Sequence, residues 1–314
     1  MDRREPVRKK ATRTAAITRS GLRRYPRVLA ESVARPTLPI PVGDVADLRG
    51  LHEHDPLAAA WLGHASALLR LDGMTIAVDP VFSHRVGPKI GPFTFGPHRA
   101  VPAPVTPDLL PPVDLLLVTH AHFDHLDRPT LKALASDKTT VVTARGCRRL
   151  IPRGFANVVE LDYGQADDFG TVNVAALPTK HWGARAVIDR NRGCNAYALT
   201  ADAARVFVSG DTALTAAFDH LEDMDLAVFS IGAYDPWEHK HATPEQVWAM
   251  FTRMGARSLL PVHHSTFELS EEKAAEPMAR LLAAAGDDAA RVIDAPAGAL
   301  WVPPSLRDSE TDAA

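Results

Sequence analysis

The stretch Leu116–Asp127, LLVTHAHFDHLD, joins an apolar run to three histidines and two aspartates that fall within eight residues. The run itself predicts a buried strand at 114–119. His120 and His122 stand two residues apart, so a nearly extended chain directs both imidazoles to the same side. This much imidazole and carboxylate at the end of a buried strand indicates a metal site rather than a surface loop.

The pattern H-x-H-x-D-H at 120–125 provides enough ligands for two metal ions. The first two imidazoles can bind one ion, while Asp124 and His125, which follow in the turn, can reach a second ion beside it. Neutral imidazole and carboxylate suit zinc, and iron or manganese accept the same ligands. We therefore expect two Zn²⁺, with iron or manganese as the alternative metals.

Further ligands have to come from elsewhere, because one loop alone leaves both ions underdetermined. Three candidates follow predicted strands: His181 after VNVAALP, Asp211 after RVFVSG and His263 after SLLP. Their placement at equivalent edges of one sheet favours their meeting at the metal site. The sequence thus predicts that distant segments complete the centre.

The rest of the chain predicts an α/β layered domain, because short runs of Val, Leu and Ile alternate with helix-like segments. Asp72-Gly73 between two strand-like runs predicts a hairpin. The stretch 243–246, Thr-Pro-Glu-Gln, predicts a capped helix that runs to about residue 254. A second helix is expected over 270–286, and the Gly/Pro-rich connection 82–113 is expected to be irregular. Further strands are predicted at 140–143, 171–177, 195–199, 204–209, 225–231 and 257–262.

The composition is that of an ordinary globular protein, with 314 residues, 46 % apolar and 23 % charged. Only Cys147 and Cys194 are present, which excludes a disulfide framework and predicts a cytoplasmic location. No apolar run reaches the roughly 18 residues that span a bilayer, and we expect no signal sequence. We divide the chain into a basic, partly disordered extension (1–45), one domain (46–304) and a disordered tail (305–314).

The basic character is concentrated at the N-terminus, where residues 1–27 carry ten Arg or Lys against two acidic residues. Such a segment is either a solvated extension or a peripheral membrane contact, worth about 1 kcal/mol per basic residue near anionic lipid. Because the whole chain carries −3 and residues 1–27 carry +8, residues 28–314 carry −11. A domain with that charge and no basic stripe predicts no specific nucleic-acid partner.

Taken in order, eight residues resemble the motifs of the metallo-β-lactamase superfamily of dinuclear hydrolases: Asp79, His120, His122, Asp124, His125, His181, Asp211 and His263. The resemblance implies a four-layer αβ/βα sandwich, with two mixed β-sheets flanked by helices. It also implies that one ion is held by His120, His122 and His181, the other by Asp124, His125 and His263, with Asp211 bridging both. Asp79 would lie behind the ligands and orient a histidine by accepting its ring N–H.

Longer motifs resemble one branch, the N-acyl-phosphatidylethanolamine-hydrolysing phospholipase D group and its bacterial relatives. The ascorbate-phosphate lactonase group is less similar. Two departures weaken the substrate assignment: Phe123 stands where the group usually has tyrosine, and Gly193-Cys194-Asn195 replaces a common tryptophan. The motifs are WLGHASALL (61–69), DPVFS (79–83), HWGAR (181–185), SGDT (209–212), IGAYDPW (231–237), HATPEQ (241–246) and HHSTFELS (263–270).

Two further histidines are shared with that branch. His241 is predicted to be catalytic together with Asp124, by donating to a substrate oxygen or protonating a leaving group. His64 is predicted to lie behind the ligands, next to the metal site. The alternative for both is a packed histidine without a part in the reaction.

Four residues are predicted to contact the substrate. Arg185 could pair with a phosphate, or alternatively form a surface salt bridge. Trp182 and Tyr234 could line an acyl channel, or alternatively belong to the core. Phe123 would face the substrate without the hydroxyl that a tyrosine offers.

The reaction type follows from the predicted centre. Two ions lower the pKa of a bridging water toward about 7, so hydroxide is available as the nucleophile at neutral pH. We expect a zinc-dependent phosphodiesterase of phospholipase D type, in which a metal-bridging hydroxide attacks N-acyl-phosphatidylethanolamine-like lipids. The alternative is a lactonase or a hydrolase of a small phosphorylated metabolite, similar to ascorbate-phosphate lactonase. The partner is thus a small-molecule or phospholipid substrate, and the oligomeric state is left open.

Overall fold

The computed structural model describes residues 7–34, 46–185, 189 and 191–304. Its strands are β1 (Leu57–Trp61), β2 (Ala67–Leu71), β3 (Met74–Val78), β4 (Lys89–Ile90), β5 (Phe93–Thr94), β6 (Leu115–Val118), β7 (Thr140–Ala144), β8 (Asn157–Leu161), β9 (Ala166–Phe169), β10 (Val172–Pro178), β11 (Asn195–Thr200), β12 (Arg205–Val208), β13 (Leu226–Ser230), β14 (Ser258–Val262) and β15 (Leu300–Trp301). The α-helices are α1 (Val7–Ala34), α2 (Arg128–Ala133), α3 (Pro244–Met254) and α4 (Glu276–Ala285). Short 3₁₀ helices lie at Arg49–Glu53, Pro107–Leu109, Arg148–Leu150 and Gly286–Arg291.

Two mixed sheets form the body of the domain. The first has seven strands in the order β15-β1-β2-β3-β6-β7-β8, and the second has six in the order β14-β13-β12-β11-β10-β9. In the first sheet β3, β6, β7 and β8 run parallel. In the second, β12, β13 and β14 run parallel. The predicted hairpin at Asp72-Gly73 is confirmed, since β2 pairs with β3 across that turn.

The core lies between the sheets and on their outer faces. Leu115 and Leu117 of β6 pack against residues of the second sheet, in one central cluster. Leu116 and Val118 point to the opposite face and pack with Leu131 of α2. Because both faces of β6 are covered, the strand reads as a continuous apolar run instead of an alternating one. A third cluster joins the second sheet to α3 and α4, which completes the expected four-layer αβ/βα sandwich.

The capped helix α3 is confirmed at its predicted start. The Thr243 side chain accepts from the Gln246 backbone N–H, and the Gln246 side chain accepts from the Thr243 N–H, which forms a capping box. Gly255 ends the helix in the left-handed conformation, with φ +68°. The bonds that initiate and stop this helix are therefore local and readable from the sequence.

The helix expected over 270–286 begins later, at Glu276. Ser270 does not cap it, because its hydroxyl donates to the Glu272 carboxylate. That carboxylate in turn accepts from the backbone N–H groups of Ala233 (2.5 Å) and Asp235 (3.2 Å). Residues 270–275 are thus tied to a neighbouring loop, which competes with helix formation.

Two further segments contain more regular structure than expected. The connection 82–113 includes the hairpin β4–β5 and a 3₁₀ turn. Within the basic extension, α1 covers residues 7–34, and the rest of the extension and the tail 305–314 lie outside the described residues. In the described part of the chain, no helix combines the length and apolar content needed to cross a membrane. The division of the chain at residues 46 and 304 stays a prediction.

Helix α1 is fixed to the domain by side-chain hydrogen bonds. Ser20 Oγ donates to Glu271 at 2.6 Å, and the Arg24 guanidinium donates to the Glu268 carbonyl. Near its C-terminal end, Arg85 Nη1 donates to Ser32 Oγ at 3.3 Å. The helix therefore lies against the loops before β6 and after β14.

Candidate metal centre

The predicted ligands all lie where strands end, at one edge of the two sheets. The loop after β6 carries four of them, and the second sheet supplies His181 after β10, Asp211 after β12 and His263 after β14. Together with those of His64 and His241, their ligand atoms form three groups, in each of which all atoms lie within 4.8 Å of one another. The first group is His120, His122, His181 and Asp211, the second is His64, Asp124, His125 and His263, and the third, which overlaps both, is Asp211, His241 and His263.

Asp211 occupies the middle of this arrangement. Its Oδ2 lies 3.2 Å from His125 Nε2, 3.4 Å from His263 Nε2 and 3.7 Å from His181 Nε2. The same oxygen is 3.9 Å from His120 Nε2, which belongs to the first group. One carboxylate thus faces imidazoles of the first and second groups, as a ligand shared by two ions would.

The donor atoms fit divalent cations. Asp211 Oδ1, His125 Nε2 and His263 Nε2 are buried and form no aligned hydrogen bond among the described residues. His122 Nδ1 lies 2.9 Å from His120 Nε2 and 3.3 Å from His181 Nε2, so three imidazole nitrogens converge. Converging nitrogen lone pairs next to buried carboxylate oxygens are the ligand set that zinc prefers.

Electrostatics favours the same conclusion. Burial lowers the pKa of His120 and of His181 well below the usual value, so these imidazoles are neutral. Burial alone would raise the pKa of Asp124 and Asp211, but the surrounding histidines hold both well below the usual range. Neutral imidazoles and ionised carboxylates are the protonation states in which these residues bind metals, and His125 and His263, whose pKa the neighbouring carboxylates raise against burial, would release a proton on binding.

Asp79 lies directly behind the ligands. Its Oδ1 accepts from the Thr119 N–H at 2.8 Å, and its Oδ2 accepts from the Thr119 hydroxyl at 2.6 Å. Oδ2 also lies 2.7 Å from His125 Nδ1. With Nδ1–H donating to this carboxylate, Nε2 of His125 is left to face the centre. The sequence analysis does not identify Thr119 as part of the site, although this residue directly precedes the ligand His120.

His64 and His241 both reach the centre. His64 Nε2 lies 3.0 Å from Asp124 Oδ2, and its backbone N–H donates to Thr266 Oγ1 at 2.7 Å. His241 Nδ1 lies 3.7 Å from Asp211 Oδ2, and its ring centroid is 4.8 Å from that of His181. The contact with Asp124 allows His64 to orient that carboxylate. His241 lies at the edge of the centre, next to His181.

Trp182 packs against two of the ligand histidines. Its ring stacks on His181 with centroids 4.4 Å apart and meets His122 edge-on at 4.9 Å. It is 37 % exposed, and Trp237 lies 6.3 Å away from it. Phe123 is half-buried in the ligand loop, where it packs against Val81, Val86 and Phe267. That Trp182 and Phe123 contact the substrate stays a prediction.

Two of the predicted substrate residues have framework contacts instead. Arg185 Nη1 donates to the carbonyls of Ala121 (2.9 Å) and Leu126 (2.8 Å), and its guanidinium lies 4.0 Å from the Phe123 ring centroid. Tyr234 is buried, and its hydroxyl donates to Glu276 of α4 at 2.8 Å. Arg185 therefore braces the ligand loop and Tyr234 anchors α4, while their contacts with a substrate stay predictions.

The chain is similar in sequence to several known proteins. A family model described as a beta-lactamase superfamily domain matches residues 74–264. An uncharacterised protein of Mycobacterium tuberculosis (strain ATCC 25618 / H37Rv) is 33 % identical over 277 residues, which cover 82 % of this chain and 71 % of that protein. An N-acyl-phosphatidylethanolamine-hydrolyzing phospholipase D of Caenorhabditis elegans is 30 % identical over 241 residues, with 69 % of this chain and 66 % of that one covered.

A solved structure shows the same fold. The crystal structure of isothiocyanate hydrolase from Delia radicum gut bacteria superposes with a TM-score of 0.60. The superposition covers 78 % of this chain and 98 % of that one, at 16 % sequence identity. At that identity the likeness concerns the fold alone.

Proposed function

This chain belongs to the metallo-β-lactamase superfamily and is a metal-dependent hydrolase, and from that premise we propose that it is a phosphodiesterase of phospholipase D type. The proposed substrates are N-acyl-phosphatidylethanolamine-like lipids. The observation that carries the proposal is Asp211, which faces imidazoles of two adjacent ligand groups. The similarity to the C. elegans phospholipase and the branch motifs support the substrate class.

The residues that would hold the two ions divide as the resemblance implies. His120, His122 and His181 would bind one Zn²⁺, Asp124, His125 and His263 the other, and Asp211 would bridge both. Iron or manganese remains the alternative with these ligands. When bound, two such ions supply a hydroxide nucleophile at neutral pH and stabilise negative charge on a phosphoryl group.

The chain's own side chains hold and orient the reacting groups. His64 fixes the Asp124 carboxylate, and Asp79 fixes His125, so neither ligand is free to rotate. His241 borders the centre next to His181, where its ring N–H could donate to the oxygen of the leaving alcohol. We therefore propose Asp124 and His241 as catalytic residues, with Trp182 and Phe123 in contact with the substrate.

The first prediction is the product pattern with a lipid substrate. Zinc-loaded protein incubated with N-acyl-phosphatidylethanolamine in mixed micelles should release phosphatidic acid and N-acylethanolamine, both measured by mass spectrometry. The Asp124→Asn variant should release neither, because it loses a ligand of one ion. A protein that retains two metals but forms neither product contradicts the lipid assignment.

A second candidate function is a lactonase or a hydrolase of a small phosphorylated metabolite. Phe123 favours it, since this side chain brings no hydroxyl to the substrate side of the ligand loop. A panel of soluble lactones and phosphodiesters, assayed with the same metal-loaded protein, distinguishes the two functions. Turnover of lactones with no turnover of phosphodiesters supports the second candidate.

We also propose that α1 makes the peripheral membrane contact. The helix carries eight Arg or Lys and one acidic residue, Glu31. It exposes an apolar row on one face, next to a basic row that includes Arg19 and Arg23. Although Arg23 pairs with Glu271, the helix keeps an excess of positive charge that suits an anionic lipid surface and disfavours a second copy of itself. The apolar row is Leu22 (74 % exposed), Tyr25 (67 %), Leu29 (49 %) and Val33 (55 %).

The second prediction concerns this surface. Replacing Leu22 and Leu29 together by serine should weaken binding to phosphatidylglycerol vesicles at least about tenfold, because the apolar contact with the bilayer is lost. Co-sedimentation measures the effect, with phosphatidylcholine vesicles for comparison. Ala30→Ser, an exposed change on the same helix, serves as the control. Unchanged vesicle binding contradicts the proposal, and loss of a dimer in the double variant points to a second copy instead.

A further inference from the structure

A lysine ammonium lies beside the Trp182 ring, which packs against two ligand histidines. The ammonium of Lys240 lies 5.5 Å from the centroid of the Trp182 ring. Lys240 is half-buried, and Lys180 is exposed directly before the ligand His181. The chain thus places the Lys240 ammonium beside the aromatic ring that stacks on the predicted ligand His181, and Lys180 directly precedes that ligand in the chain.

Among the described residues, no carboxylate within 4 Å forms an ion pair with the ammonium of Lys240 or of Lys180. The nearest acidic groups of the centre are engaged, because Asp124 contacts His64 and His263, and Asp211 faces the histidines of the first and second groups. Neither ammonium is therefore neutralised by a carboxylate of the described residues.

Electrostatics supports the same picture. Burial lowers the pKa of Lys240, Cys194 opposes this effect, and the positive charges of Lys180 and of Arg13 in α1 lower the pKa by smaller amounts. Positive charges that lie near one another are stabilised when an anion binds among them.

Arg185 does not provide this function. Its guanidinium donates to two carbonyls of the ligand loop and covers Phe123. The backbone carbonyl of Lys240, in contrast, lies 3.0 Å from His181 Nδ1. The ammonium group of Lys240 takes no part in that contact. A change of the Lys240 side chain leaves that backbone contact in place, so the two roles can be separated experimentally.

We propose that Lys240, assisted by Lys180, binds an anionic group of the substrate that is separate from the bond being hydrolysed. The ligand chemistry is a phosphate or carboxylate, held by a charge-assisted hydrogen bond next to the Trp182 ring. The inference rests on the proposed hydrolase function and names its substrate class: a molecule with a second negative charge near the scissile bond. That charge belongs either to a lipid headgroup or to a small phosphorylated metabolite.

The third prediction uses matched substrates. In the lipid arm, N-acyl-phosphatidylserine, which adds a headgroup carboxylate, is compared with N-acyl-phosphatidylethanolamine. In the soluble arm, a lactone that carries a phosphate is compared with the same lactone without it. Wild-type protein should show a KM at least about tenfold lower for the anionic member of one pair. The arm in which this occurs identifies the source of the anion.

The Lys240→Gln variant should lose that preference, and Lys240→Arg should retain most of it. Lys138→Gln, a change of an exposed lysine outside the metal site, is the matched control. Dissociation constants of non-hydrolysable phosphonate analogues, measured by calorimetry on the metal-loaded protein, give a readout that does not depend on turnover. An equal preference in wild type and Lys240→Gln overturns the inference. If the protein hydrolyses none of the substrates but its binding preference still depends on Lys240, only the proposed function is contradicted.

Discussion

Asp211→Asn is expected to lower kcat/KM by on the order of 10⁴-fold or more, because the proposed bridging carboxylate would no longer hold together two ions that lower the pKa of a bound water from about 15.7 to about 7. Asp211 Oδ2 faces imidazoles of the first and second ligand groups, at 3.2 Å from His125 Nε2 and 3.9 Å from His120 Nε2. An amide in its place is uncharged and can direct only one oxygen toward the metals. Bound metal should fall from two ions per chain to one or none.

The measurement combines steady-state kinetics with elemental analysis of the purified variant. Asp127→Asn is the matched control, since Asp127 is buried in the same loop but bonds to Ser83 and Thr130 instead of a ligand. A variant of Asp211 that keeps two metals and near wild-type activity excludes a bridging role for this carboxylate. Loss of activity in both variants to the same degree assigns the effect to the loop and not to the metals.

Removal of the metals should lower the melting temperature by roughly 8–16 °C. A ligand present at about 1,000 times its Kd stabilises the native state by about 4 kcal/mol, and each kcal/mol shifts the midpoint by about 2–4 °C in a domain of about 150–250 residues. Asp124 and Asp211 are the groups that lose their cations, and both are surrounded by other buried groups. Their desolvation is then compensated by histidines alone.

Calorimetry of chelator-treated protein, before and after reloading, checks this effect. Reloading with zinc, manganese or iron in separate samples ranks the three metals by how far each restores the melting temperature. The Asp211→Asn variant should respond to the chelator much less than wild type, since it binds less metal to begin with. An identical midpoint with and without metal contradicts a centre that contributes to the folded state.

The ligand cluster could be predicted because its information is local. The stretch 120–125 carries four donors in six residues, and three more donors follow strands whose apolar runs are unambiguous. Parallel strands place their carboxyl ends at one edge, so β6, β12 and β14 bring these donors together once the sheets form. The fold class followed from the same runs, together with the family resemblance.

Side chains whose partners are distant in sequence were assigned less well. Tyr234 bonds to Glu276, 42 positions later, and Arg185 bonds to carbonyls about 60 residues earlier. No periodicity or spacing encodes such pairs. The docking of α1 is another example, because it depends on single hydrogen bonds such as Ser20 to Glu271 across 251 positions. The late start of α4 arises likewise, from the contact of Glu272 with the loop at Ala233.

The ligands are divided between the two sheets, and this division sets the order of events during synthesis of the chain. The loop after β6 leaves the ribosome first, with four donors but without Asp211 or His263. Because translation adds about 5–20 residues per second, several seconds pass before His263 is made. Until then neither ion would have its full set of ligands, so complete metal binding requires segments from both sheets.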